Sequence, residues 1–309
     1  MSERIIQADL RSARKPFRFK SDWGWAYLLI APTIIGLLIL NIYPFFETII
    51  LSLQKSQGLG PVKFVGLKNY QKLLSDKQIW QSTVNTLYYM LLTVPVGVFL
   101  ALILAVLLNT KIRGRDVYRA IYFLPMVAAP AAVAMVWKWI FNAEAGILNQ
   151  FLGLFGVDPI YFMNEPQWFR PVYILSETWQ FTGWTAIIYL AAITSISPDL
   201  FEAAEMDGAS RLQQIWYVTI PSILPTIMIM LIMNVGHMLS LGFEKVLLMY
   251  TPSNSGVSDI IDTLVYRTGL VSQNYSYATA IGLFSGIVGL ILVTSSNAVS
   301  RKLTGESIY

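Results

Sequence analysis

Six long stretches of this chain contain no Asp, Glu, Lys or Arg: residues 26–46, 82–110, 120–137, 178–198, 212–243 and 268–300. They run 21, 29, 18, 21, 32 and 33 residues. A helix crosses the hydrocarbon core of a bilayer in about 20 apolar residues. Backbone groups in lipid must bond within the protein, and these runs are too long and too evenly apolar for barrel strands. An all-α membrane protein with six transmembrane helices is therefore predicted. The first run is too long for the apolar part of a signal peptide and ends at no small-residue cleavage site. It is read as a span that stays in place.

Composition narrows the function classes. Hydrophobic residues make up 55% of the 309 and charged residues 13%, about half the charged share of a soluble domain. That balance excludes a disordered chain, a nucleic-acid binder and a disulfide scaffold. With no Cys and a single His, thiol chemistry, Cys-ligated zinc, iron–sulfur clusters and multi-His metal sites are excluded as well.

Lys and Arg give the orientation. Thirteen fall on the side of the two termini, the link between spans two and three and the link between spans four and five; seven fall on the other side. The positive-inside rule then places both termini in the cytoplasm. The expected organisation is a basic cytoplasmic tail at 1–24, a six-helix domain at 25–301 and a short cytoplasmic tail at 302–309. The outer links, roughly residues 52–81, 142–170 and 250–275, carry turn material such as Gly58 to Pro61, Asp158–Pro159 and Thr251 to Gly256.

Some residues sit awkwardly in apolar surroundings. Lys138 lies between Trp137 and Trp139, where a lysine snorkels in an interfacial aromatic belt. Glu244 and Lys245 end span five and read as interfacial too. Glu177 lies near Trp179, Gln180, Phe181 and Trp184, a mixture of carboxylate, amide and aromatic faces suited to sugar hydroxyls and C–H faces. Asn234 and His237 share the middle of span five, where polar residues usually face the bundle interior. They read either as a cavity wall or as interhelical packing bonds. Pro125, Pro130, Pro221 and Pro225 interrupt helical hydrogen bonding, and Gly282 with Gly286 makes a GxxxG pair allowing close helix approach.

The link between spans four and five, residues 197–221, has the pattern of a helix–turn–helix. Ser197 can cap a helix that has Pro198 in its first position. Asp199 and Glu202 suit its N-terminal end, Ala203 and Ala204 leave a small close-approach face, and Gly208 ends it in a sharp turn. A second helix with Ile215, Trp216 and Val218 leads into span five. By physics alone this is a docking loop or an ordinary interfacial helix.

Glu202-Ala-Ala, then Asp207-Gly208-Ala209, then Val218-x-Ile220-Pro221 resembles the EAA loop of membrane permeases in bacterial ABC importers. The resemblance covers nearly the whole chain and is closest to carbohydrate permeases of the maltose-transporter type. Supporting stretches are Arg113-Gly-Arg-Asp-Val-Tyr-Arg-Ala-Ile-Tyr-Phe-Leu-Pro125, Phe141-Asn142 with Gly146, and Phe155-Gly156-Val157. The stretch Gly242–Gly269, with Asp262-Thr-Leu-Val-Tyr-Arg267, is similar to permeases for complex polysaccharide fragments such as pectin, rhamnogalacturonan and alginate.

The resemblance implies a type I importer permease fold. It implies a coupling role for Glu202, Ala203, Ala204, Asp207, Gly208 and Ala209, whose helix docks on an ATPase subunit. It also implies sugar contacts at Met126, at Glu177, Trp179, Gln180 and Phe181, and at Asn234 and His237. Glu177 replaces an amide there, so it would repel a uronate unless it were screened or protonated; Lys138 or Lys245 can offset it. The implied partners are a second, unlike permease, two ATPases that hold the ATP and Mg, an extracytoplasmic binding protein and an oligosaccharide. No cofactor is expected in this chain.

No G-x-x-x-x-G-K-[ST] motif occurs, so the energy has to come from a partner. Two rivals remain. A membrane-embedded enzyme would need clustered acids, His or metal ligands. A stand-alone secondary transporter would need midplane coupling carboxylates and repeat symmetry.

Overall fold

An uncharged run becomes a helix in lipid because each N–H and C=O then finds its partner within the segment. A computed structural model describes residues 19–55, 62–110, 113–238 and 242–305. The basic tail lies mostly outside the described residues. The chain divides into two compact units between Leu51 and Ser52. The first contains α1 (Phe19–Leu37), which passes through a π-type turn at Leu38–Ile42 into α2 (Tyr43–Ser52). Together they make a continuous apolar helix of 29 residues over Gly24–Ser52, long enough to cross a membrane.

The second unit begins with a short hairpin, β1 (Gln54–Lys55) paired antiparallel to β2 (Lys63–Phe64), and with α3 (Lys68–Ser75). Asn69 Nδ2 donates to Ser52 O and Gln54 O, both at 2.7 Å, and ties α3 to the hairpin. The 33-residue helix α4 (Lys77–Asn109) starts at Asp76, whose side chain accepts the Gln78 N–H at 2.9 Å. It packs most extensively against α8 (Pro166–Thr194), and α5 (Arg115–Val127) also packs on α8. Ala101 and Ala105 of α4 are fully buried against Ala186, Tyr189 and Leu190 of α8 and Ile223 and Ile227 of α11 (Ile220–Met238). Small side chains let these helices approach closely, which is how packing works where lipid removes the hydrophobic drive between helices.

Among the described residues, four helices are long and apolar enough to cross a membrane, and two bent pairs bring the number to six if each is one span. Span three is not the single helix predicted over 120–137. It breaks at Ala128–Ala129, where α5 meets α6 (Pro130–Ile140) at 100°. Pro130 takes the first position of α6 and forces Ala129 into an extended conformation, so the turn before it cannot stay helical. After the short helix α7 (Ile147–Gly153), span four begins far earlier than 178, at Pro166, and carries Arg170 and Glu177 inside its helix. Its far end bends by 73° into α9 (Pro198–Met206).

Span five is built from α10 (Arg211–Gln214), a π-type turn at Ile215–Thr219 and α11 (Ile220–Met238). Glu244 and Lys245 do not end its helix. They lie in a separate helix, α12 (Phe243–Met249), that starts at the left-handed Gly242. Two short helices follow, α13 (Ser255–Ser258) and α14 (Ile261–Tyr266), before α15 (Tyr275–Thr304), which packs along α11.

Candidate functional site

Helices α4, α5, α8 and α11 surround a cavity of about 420 Å³, within the usual range of ligand cavities, about 300–1,000 Å³. Helix α8 presents Glu177, Phe181 and Trp184; α5 presents Met126 from its last turn; α11 presents Met230, Met233 and Asn234. Helix α4 adds Thr93 and Gly97. The walls are mostly apolar and aromatic, with hydroxyls set among them. Thr93 Oγ1 and Thr178 Oγ1 are buried at this wall and make no hydrogen bond within the chain. A buried hydroxyl without a partner costs about 1–3 kcal/mol, so the cavity is suited to a polar guest.

Glu177 is 3% exposed and forms a salt bridge through Oε2 with Lys245 of α12, itself 1% exposed. The Lys245 Nζ also lies 5.8 Å from the centre of the Phe181 ring. The expectation of an interfacial Lys245 is thus corrected. Val246 and Met249 bury α12 in the cluster formed with Trp137 of α6 and Tyr173 of α8. That packing turns Lys245 towards α8, where only a carboxylate can compensate a buried ammonium. Lys138 is half-buried and donates to Leu248 O at 3.1 Å, so it tethers α6 to the end of α12.

The geometry brings together Glu177, Phe181, Met126 and Asn234 among the residues singled out from sequence. Trp179 and Gln180 fall on other faces of α8. Trp179 is 47% exposed and packs edge-on against Trp137, 6.0 Å between ring centres. Gln180 is buried and donates from Nε2 to Ala128 O at 3.2 Å, at the break between α5 and α6. The side chain of His237 lies outside the described residues. Sequence reading missed Thr93 and Gly97 on α4. A hydroxyl and a glycine inside span two were the available signal.

The 197–211 loop has an open geometry. Ser197 occupies the cap position before Pro198, although its side chain makes no capping bond. Helix α9 stops because Gly208 takes φ +78°, with Ala209 N–H on Ala204 O at 2.9 Å and Gly208 N–H on Glu205 O at 3.0 Å. This pair of bonds closes the helix end around a left-handed residue. Ser210 and Gln213 then cap the next helix reciprocally. Glu202, Ala203, Asp207 and Gly208 are exposed, Ala204 and Ala209 half-buried. Met206 at the tip is 89% exposed. Behind the loop lies a second cavity of about 420 Å³, edged by Phe201, Glu205, Arg211 and Gln214 and by Asn109 and Thr110 at the end of α4.

At the opposite end of α4, Asn85 organises the 254–259 segment. Its Nδ2 donates to Gly256 O at 3.1 Å and Asp259 O at 2.9 Å, and its Oδ1 accepts from Arg170 at 3.0 Å. Arg170 in turn stacks on Tyr88. Nearby, Asp259 pairs with Arg267, which also donates to the Tyr250 hydroxyl at 2.9 Å. Burial raises the Asp259 carboxyl above its ordinary value, against the opposing pull of Arg267. Burial also raises Asp262.

Residues 77–305 match the family of binding-protein-dependent transport system inner membrane components. The polygalacturonan/rhamnogalacturonan transport system permease protein YteP of Bacillus subtilis (strain 168) is 36% identical over 291 residues, 92% of this chain and 90% of the relative. A chain in the crystal structure of a bacterial alginate ABC transporter, in complex with alginate pentasaccharide-bound periplasmic protein, superposes with a TM-score of 0.86. It is 34% identical and covers 94% of this chain and 98% of its own. A chain from a bacterial ABC transporter involved in import of the acidic polysaccharide alginate superposes at 0.85 with 35% identity, covering 92% and 97%.

Proposed function

The chain belongs to the family of binding-protein-dependent transport system inner membrane components, and from that membership we propose that it is one half of the translocation pathway of an ATP-driven oligosaccharide importer. Its substrates are fragments of polysaccharides of the kind its relatives are named for, polygalacturonan, rhamnogalacturonan and alginate. Six spans, with both termini in the cytoplasm, lie in the cytoplasmic membrane. A second, unlike permease completes the pathway around the cavity. An extracytoplasmic binding protein delivers the sugar. Two ATPase subunits hold ATP and Mg, and their closure moves the 197–211 loop as a lever. This chain carries out no covalent chemistry.

The observation that carries the reading is the loop itself. A nine-residue helix, Pro198–Met206, stands exposed between two membrane helices and is stopped by a left-handed Gly208 with open space around it. An exposed helix rigidly joined to both neighbours transmits displacement. Sugar hydroxyls would meet Glu177, Asn234 and the free hydroxyls of Thr93 and Thr178, and apolar sugar faces would meet Phe181, Trp184 and Met126. The test is ATP-driven uptake by the whole complex in proteoliposomes. A Gly208→Asp substitution places a side chain at φ +78°, a conformation costing roughly 1–2 kcal/mol for a residue with a Cβ, and adds charge at the docking tip. Uptake is expected to fall at least about tenfold, with the chain still inserted. Unchanged uptake would remove the coupling role from this loop.

A further inference from the structure

Glu177 is the only ionisable residue among the described residues lining the cavity. Its partner Lys245 is not in the wall; it lies behind it, on a different helix. A buried ion pair stabilises a fold little, and apolar residues of the same volume often do as well. What the pair changes is the cavity. It provides a carboxylate acceptor, with Oε2 engaged by Lys245 and Oε1 left as an acceptor, at zero net charge. Resting on the oligosaccharide reading above, we propose that Lys245 determines specificity through Glu177: by cancelling the carboxylate charge it admits oligosaccharides that carry uronate groups.

The magnitude is enough to matter. An unscreened carboxylate about 7 Å from a uronate, at an effective dielectric of about 20, repels it by an amount equal to roughly 10- to 100-fold in occupancy. No other charged group among the described lining residues offsets this. Lys138, on α6 beside α12, is committed to the Leu248 carbonyl.

The experiment uses the complete importer with its binding protein in proteoliposomes. Two probes of equal length are compared, trigalacturonate and its fully methyl-esterified, neutral form. The readout is the acidic-to-neutral uptake ratio relative to wild type, so the binding protein's own preference cancels. Lys245→Met should lower the ratio roughly 10- to 100-fold, and Lys245→Arg should keep it. Glu177→Gln, which leaves the cation alone, should raise the ratio. Lys245→Met combined with Glu177→Gln should return it towards wild type. A purely structural pair would lower both uptakes together and leave the ratio fixed, which would overturn the proposal. So would a double variant as low as Lys245→Met alone. If Lys245→Met fails to assemble, Glu177→Gln decides: a ratio at or below wild type sinks the idea. A wild-type importer that takes the neutral probe and never the acidic one overturns this inference but spares the oligosaccharide reading. One that takes neither, while hydrolysing ATP, overturns both.

Discussion

Glu177 and Lys245 are 68 residues apart in sequence and in contact in the fold. Each carries a charge that its own surroundings do not explain. Glu177 is legible as unusual because it interrupts aromatic and apolar residues; Lys245 is not, because it follows Glu244 at the end of a long apolar run and looks interfacial. Asp262 shows the same limit. Its sequence context is unremarkable, yet packing half-buries it and raises its carboxyl above the ordinary value. The native state therefore holds that proton more tightly than the unfolded chain. The resulting stability is complete below the unfolded pKa and is lost as pH rises through the native one. Asp262→Asn mimics the protonated form. It should raise the thermal midpoint by a few degrees at pH 7.5 and leave it unchanged near pH 4, measured on the purified complex in detergent. A lower midpoint at pH 7.5 would show that the carboxylate makes a native interaction that its burial does not reveal.

Among the helices, close approach occurs at a position the small-residue pattern does not mark. The GxxxG pair Gly282 and Gly286 predicts tight packing, but a Cβ at either meets nothing within 4 Å. The tight crossing is at Gly183, where α5 lies on α8 and a Cβ would sit 1.8 Å from Tyr122 O. The neighbour there is backbone, which cannot rotate away. Gly183→Val should destabilise the bundle by at least about 1–3 kcal/mol and cut the yield of monodisperse protein, while Gly286→Val should leave that yield unchanged. Size-exclusion profiles of the two variants settle it; equal yields would mean that α5 and α8 separate without penalty. The broken third span belongs to this scale as well. Pro125 and Pro130 are visible as interruptions, but the 100° turn depends on α6 packing beside α12.

For the whole molecule, the absence of Cys makes orientation measurable with single-cysteine variants. Met206→Cys lies at the tip of the 197–211 loop and Leu154→Cys in the 142–170 link, at 89% and 81% exposure for the native side chains. In intact cells a membrane-impermeant maleimide should label Leu154→Cys and leave Met206→Cys untouched until the membrane is opened. The opposite pattern would invert the topology and refute the cytoplasmic placement of the loop.

The sequence by itself determined the membrane-spanning class, the approximate positions of the spans and the turn at Gly208. Each of these depends on properties summed over neighbouring residues: apolar length, lack of charge, and the left-handed backbone that glycine tolerates. Only the tertiary structure decided which side chains share the cavity. One-residue steps along α8 separate Glu177 and Phe181, at the cavity, from Trp179 and Gln180, which contact other elements. It also decided where the charges are compensated. A buried charge is tolerated only where another element delivers its counterion, and that pairing is set by how α8 and α12 pack, which no local stretch of sequence encodes.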